Sequence, residues 1–218
     1  MSDHQSRPPI LSPDQVLVLG RILEIQFKEP DSYPCPVQRI AEACEFAPPS
    51  PELGSLERSE INQAITKLIR QGLLSVDQDS VEFSYRHKVC EALHLGPAQR
   101  ALITAFMLNG AQTLEELLEN THPLYPFQDY QHIAETLKSL QQEREYPLVA
   151  QTPRSADKKI RYVHCLLPHE FVDETLPEID VATTEELRIL EPHNRLDDLE
   201  NRVAELEAMI DKLSNTDT

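Results

Sequence analysis

Between residues 11 and 167 two rhythms of apolar spacing alternate, and they do so in the same order twice. "LSPDQVLVLGRIL" (11–23) and "LGPAQRALITAFM" (95–107) align at an offset of 84, with Leu11 on Leu95, Pro13 on Pro97 and Gln15 on Gln99. Each predicts a helix. In the first, Ser12 supplies an N-cap, Pro13 takes the first helical position and Gln15 completes a capping box. Short helices follow at "VQRIAEACE" (37–45) and "TLEELLEN" (113–120), the second with its own box from Thr113 to Glu116. A third helix in each copy shows apolar residues at helical spacing. These are Ile61, Ala64, Ile65, Leu68 and Ile69 in one copy, and Ile133, Leu137 and Leu140 in the other.

The rhythm then changes to that of strands. "GLLSV" (72–76) and "VEFSYRHKV" (81–89) close the first copy; "YPLVAQ" (146–151) and "KIRYVHCLL" (159–167) close the second. Helix, helix, helix, strand, strand is the order of the winged helix, a variant of helix-turn-helix. Any small α+β domain can show such periods. The agreement of two separate stretches selects this one. The sequence therefore predicts a mainly helical α+β chain of two tandem winged-helix domains, at 11–90 and 91–167. A disordered N-terminus (1–10) precedes them. An acidic linker (168–192) and a coiled-coil helix (193–214) follow.

The coil is written in heptads. Leu196, Val203 and Ile210 fall at position a and Leu199, Leu206 and Leu213 at position d, with Arg195 and Arg202 at g facing Glu200 and Glu207 at e. β-branched residues at two a sites, with leucine at every d, favour a parallel pair, so a homodimer is expected. A single helix folding back on its own domains is the alternative.

Charge changes the picture only by where it lies. The net charge is −17, but residues 1–90 carry 9 basic and 13 acidic residues, 91–167 carry 7 and 9, and 168–218 carry 4 and 15. The winged-helix region is nearly balanced, and the excess belongs to the tail. The N-terminus lacks the apolar core of a signal peptide, and no apolar run is long enough to cross a membrane. Four cysteines without a CxxC pair read as reduced, buried thiols of a cytoplasmic protein. A zinc site from Cys35, Cys44, His87 and Cys90 fits no common ligand spacing. No P-loop, GxGxxG, nucleophile elbow or metal-spaced histidine pair is present, so neither an enzyme nor a cofactor is expected.

The stretch "LEIQFKEPDSYPCPVQRIAEAC" (23–44) resembles the YceH-like proteins, a bacterial family of tandem winged helices without an established function. The matching residues are Leu23, Glu24, Gln26, Pro30, Tyr33, Pro34, Ala43 and Cys44. "NGAQTLEEL" (109–117), "YPLVAQTPR" (146–154) and "RYVHCL" (161–166) carry the likeness through the second copy. It spans about residues 11–167, and an acidic tail with a terminal coil also fits. The resemblance implies the fold and a bacterial cytoplasmic setting. One place departs from it. Where the family carries an Asn-Gln-Lys-rich loop ending in Asn-Arg, this chain reads "EFAPPSPELG" (45–54), without a basic residue.

The candidate chemistry lies on outward positions. The first third helix turns Glu60, Asn62, Gln63, Thr66, Lys67 and Arg70 outward, and its amides, threonine and cations are residue types able to meet base edges and phosphates in a major groove. Arg86 and Lys88 lie on one face of the following strand, with His87 on the other. "PRSADKKIR" places Arg154, Lys158, Lys159 and Arg161 in the second wing, where they suit phosphate contacts. The outward row of the second third helix, with Asp129 and Glu135, suits DNA less. Two functions follow. One is a dimeric protein that binds double-stranded DNA and regulates transcription. The other is a protein-interaction module. It resembles at fold level the acidic tandem winged-helix subunits that accompany bacterial condensins.

Overall fold

The computed structural model describes residues 7–45, 56–78, 83–142, 144–152 and 159–168. The chain is a mixture of helix and small antiparallel sheets. The first half contains α1 (Pro13–Lys28), β1 (Cys35–Pro36), α2 (Val37–Glu45), α3 (Arg58–Arg70), β2 (Leu74–Asp77) and β3 (Ser84–His87), and a short α4 (Val89–Ala92) follows. The second half contains α5 (Pro97–Asn109), α6 (Leu114–Thr121), α7 (Tyr130–Gln141), β4 (Val149–Gln151) and β5 (Tyr162–His164). Three expectations fall outside the described residues: most of the acidic linker, the heptad positions Leu196 to Leu213, and most of the "EFAPPSPELG" loop. So do Arg154 and Lys158.

The caps expected from sequence are present. Ser12 Oγ accepts the Gln15 N–H and Gln15 Oε1 accepts the Ser12 N–H at 3.0 Å. In the second half Gln99 Oε1 accepts the Gly96 N–H at 3.0 Å. The amide of each glutamine then reaches the third helix of its own half. Gln15 Nε2 donates to Gln71 at 2.6 Å, at the end of α3, and Gln99 Nε2 donates to Ser139 at 2.8 Å, on α7. The repeated glutamine thus starts one helix and ties it to another.

Both α1 and α5 are buried around most of their circumference, as a helix between two apolar neighbours must be. α1 packs against α2 and α3 on one side and against α5 on the other. At the crossing, a Cβ added to Gly20 would stand 3.0 Å from Leu108 Cδ2 and 3.0 Å from Met107 Cβ. The Leu11 N–H donates to the Leu166 carbonyl at 2.7 Å, so the two ends of the repeat meet.

The sheets repeat their register. β3 lies between β1 and β2, pairing Cys35 with Tyr85 and Leu74 with His87. β5 pairs with β4, Val149 opposite His164, and an isolated bridge joins Gln112 to Tyr162. The strands are shorter than the apolar runs suggest. Val89 is not in a strand. The Lys88 N–H closes onto the Leu73 carbonyl at 2.8 Å, and the chain then turns into α4, which buries Val89 and Leu93. In the second half the Leu166 N–H donates to His164 Nδ1 at 3.2 Å, turning the chain away from the ladder.

Candidate nucleic-acid interface

α3 positions its outer row by burying the inner one. Ile61, Ala64, Ile65 and Leu68 face the core, so Asn62, Gln63, Thr66, Lys67 and Arg70 line one shallow exposed depression of about 280 Å³. The Thr66 hydroxyl donates to the Asn62 carbonyl at 2.8 Å, which fixes its rotamer. No carboxylate lies within this lining, and no ion pair involves Lys67 or Arg70 among the described residues. Both basic residues also lie in the last turn, where the helix dipole favours them.

The other proposed contacts are placed differently. Arg86 Nε donates to Asp77 Oδ1 at 3.0 Å across the first hairpin, and Phe83 beside it is 78% exposed. Arg86 and Lys88 are exposed and His87 half-buried, the alternation expected of a strand. All three nevertheless border one cavity with Gln26, Tyr33 and Arg100, away from the row on α3. Lys159 Nζ meets Glu115 at 3.2 Å, and Arg161 Nη1 meets both oxygens of Glu116 at 3.0 and 2.7 Å. The basic residues at the base of the second hairpin therefore lie against the acidic first turn of α6. Burial works to raise the Glu116 pKa. The Thr113 N–H, Arg161 and Lys159 overcome it and hold the carboxyl below its ordinary value.

On α7 most of the outward side chains are engaged in local contacts, and Lys138 is exposed without an ion pair among the described residues. Asp129 accepts the His132 N–H at 2.7 Å as N-cap, Gln131 donates to Glu135 at 3.0 Å, and the His132 ring packs edge-on against Tyr125 and Phe127.

Sequence reasoning read the cysteines as buried but passed over the burial of two histidines. His87 and His164 occupy the same place at the ends of β3 and β5. Burial pushes each imidazole down to about 4, with the Arg100 charge adding to the effect at His87. The repeat itself carried a signal for Arg100. At the offset of 84 it stands where the first copy has Val16, an apolar core residue. The Cys35 thiol is pushed up to about 12 and those of Cys44 and Cys165 to about 11, all by burial first, so these sulfurs stay protonated at neutral pH. Among the described residues no three His, Cys, Asp or Glu side chains group as a metal site, and no helix is long and apolar enough to cross a membrane.

A family model described as "Protein of unknown function, DUF480" matches residues 11–158, which takes in both halves of the repeat. The chain is 28% identical over 214 residues to a UPF0502 protein of Cellvibrio japonicus, covering 94% of each chain. It is 32% identical over 200 residues to a UPF0502 protein of Pectobacterium atrosepticum, covering 88% of this chain and 92% of that one. Over 215 residues it is 29% identical to the UPF0502 protein YceH of Escherichia fergusonii, covering 93% and 95%. With the duplicated helix and strand order, these matches place the chain in the DUF480 family, among the YceH-like proteins.

Proposed function

We propose that this chain is a non-enzymatic, dimeric DNA-binding protein, a transcriptional regulator built from two tandem winged helices at 11–90 and 91–167. The outer row of α3 carries the reading. Two amide side chains, a threonine and two cations stand on one exposed helix face, and its outward acid, Glu60, is drawn to the helix start by the Glu57 N–H at 2.7 Å. Amides can bond adenine, and cations can meet guanine or phosphate. The order of helices and strands in each half supports the winged-helix assignment, with α3 and α7 in the place of the helix that enters the groove. The dimer rests on the heptads of residues 193–214.

The test is DNA affinity against salt, with full-length protein and fragmented genomic DNA. A linear fall of log affinity with log salt is expected, with a slope set by the phosphates engaged. Absence of binding at low salt, with the dimer intact, would overturn the reading.

A second reading has its own observation. The pairs Lys159–Glu115 and Arg161–Glu116 and the self-engaged row of α7 make the second half a poor phosphate surface. They favour a protein-interaction module, with α3 then facing a protein partner.

A further inference from the structure

The cavity at the junction of the two halves is not used by the DNA reading. It has a volume of about 290 Å³ and lies between the last turns of α1, the loop that follows, the end of β3, α4 and α5. We propose that it binds the phosphate group of a small phosphorylated metabolite.

Its polar atoms are arranged as donors. Arg100 lies over the Phe27 ring, 4.1 Å from its centroid, which holds the guanidinium in place by a cation–π contact. Its Nη1 donates to Gln26 Oε1 at 2.6 Å, and its Nε is buried without a partner. No carboxylate pairs with it among the described residues. His87 Nε2 lies 2.6 Å from the same Gln26 oxygen. That oxygen can only accept, so His87 is the neutral Nε2–H tautomer. Low basicity fits this state, since burial and the Arg100 charge push the imidazole down to about 4.

With two donors on its oxygen, the orientation of the Gln26 amide is settled. Its NH₂ group, with two N–H donors, is left for the cavity. The Tyr33 hydroxyl accepts the His87 backbone N–H at 2.9 Å, which leaves its own proton to donate. Lys88 adds a second cation without an ion pair among the described residues, and Glu91 is the single carboxylate in the lining.

The donor geometry favours phosphate over carboxylate. A carboxylate is best held by the two-pronged face of an arginine. Here Nε is buried and one Nη1 N–H goes to Gln26, so the side-on fork through Nε is closed. What remains are N–H and O–H donors from Arg100, Gln26, Tyr33 and Lys88, coming from different elements. Such a set suits a tetrahedral oxyanion. The volume exceeds that of a phosphate group and leaves room for a small organic body.

The proposal stands apart from DNA binding and is tested by itself. Full-length protein is titrated with inorganic phosphate and with glycerol 3-phosphate at low ionic strength. Calorimetry and the NMR signal of the Gln26 side-chain amide report binding. Saturation is expected at millimolar concentration or below, tighter for glycerol 3-phosphate, with a saturable shift at Gln26. Arg100→Gln should weaken binding about tenfold or more, with Arg100→Lys restoring part of it, and Lys88→Gln about threefold. Circular dichroism checks the fold of each variant. If Arg100→Gln does not fold, the exposed Lys88→Gln carries the comparison. Lack of saturation, or equal binding by wild type and the variants, overturns the proposal. Displacement of phosphate from Gln26 by a short DNA duplex also overturns it, because the phosphate would then belong to nucleic acid.

Discussion

α3 and α7 hold the same rank in their halves, yet their outer rows are used differently. The inner rows agree: Ile61, Ile65 and Leu68 are buried on one, and Ile133, Leu137 and Leu140 on the other. So do the tethers, from Gln15 to the end of α3 and from Gln99 to α7. Outside, α3 leaves Lys67 and Arg70 without ionic partners among the described residues. α7 leaves one such cation, Lys138, and spends Asp129 on its own cap, Gln131 on Glu135 and His132 on an aromatic cluster. Duplication has kept the bonds that hold the scaffold and let the surfaces diverge. A shared fold is therefore no argument for a shared task within one chain.

The comparison breaks if the two helices respond alike. Lys67→Ala with Arg70→Ala should lower DNA affinity about a hundredfold at low salt and flatten the salt slope by about two. Gln131→Ala with Lys138→Ala on α7 should change affinity less than about twofold, read in the same titration.

A smaller effect tests how firmly the halves are joined. Gly20→Val drives methyl groups into Met107 and Leu108, where even a Cβ would stand at 3.0 Å. Overpacking of this kind costs about 2–3 kcal/mol, measured by urea unfolding.

The smallest effect is read at the two equivalent histidines. His164 is about 1% exposed and its imidazole is pushed down to about 4, against about 6.5 unfolded. Below pH 6.5 the unfolded chain takes the proton first, so stability present above that pH is lost as pH falls toward 4. The loss is about 2 kcal/mol at pH 5. Protonation also removes the Nδ1 lone pair that accepts the Leu166 N–H. His164→Gln should flatten stability against pH between 6.5 and 4. His87→Gln should flatten it over the same range, since its imidazole is also pushed down to about 4.

The fold was legible where sequence carries its own local chemistry. Ser12, Pro13 and Gln15 announce the start of α1 at the residue where it begins, and α2 spans the nine residues its spacing marks. Strand ends were less legible, because Val89 is apolar in either conformation and only the Lys88 to Leu73 bond decides where the strand stops. The row on α3 could be read by subtracting core positions from a helix. The pairing of Lys159 and Arg161 with α6 could not, since Glu115 and Glu116 lie more than 40 residues away in the chain and already had a local explanation as helix-start acids. The cavity around Arg100 depends on side chains from four elements, and no local pattern brings those together.

The close crossing at Gly20 has a consequence for synthesis on the ribosome. α1 needs α5 to cover its second face, and the partners Met107 and Leu108 are translated long after Gly20. At ~5–20 residues per second, that face waits roughly 5–20 s for its cover. During those seconds the nascent chain presents Val16, Leu17 and Leu23, side chains on the Gly20 side of α1 that are buried in the finished protein. That face of α1 is thus a transient apolar surface, open to a chaperone and closed by the arrival of the second copy.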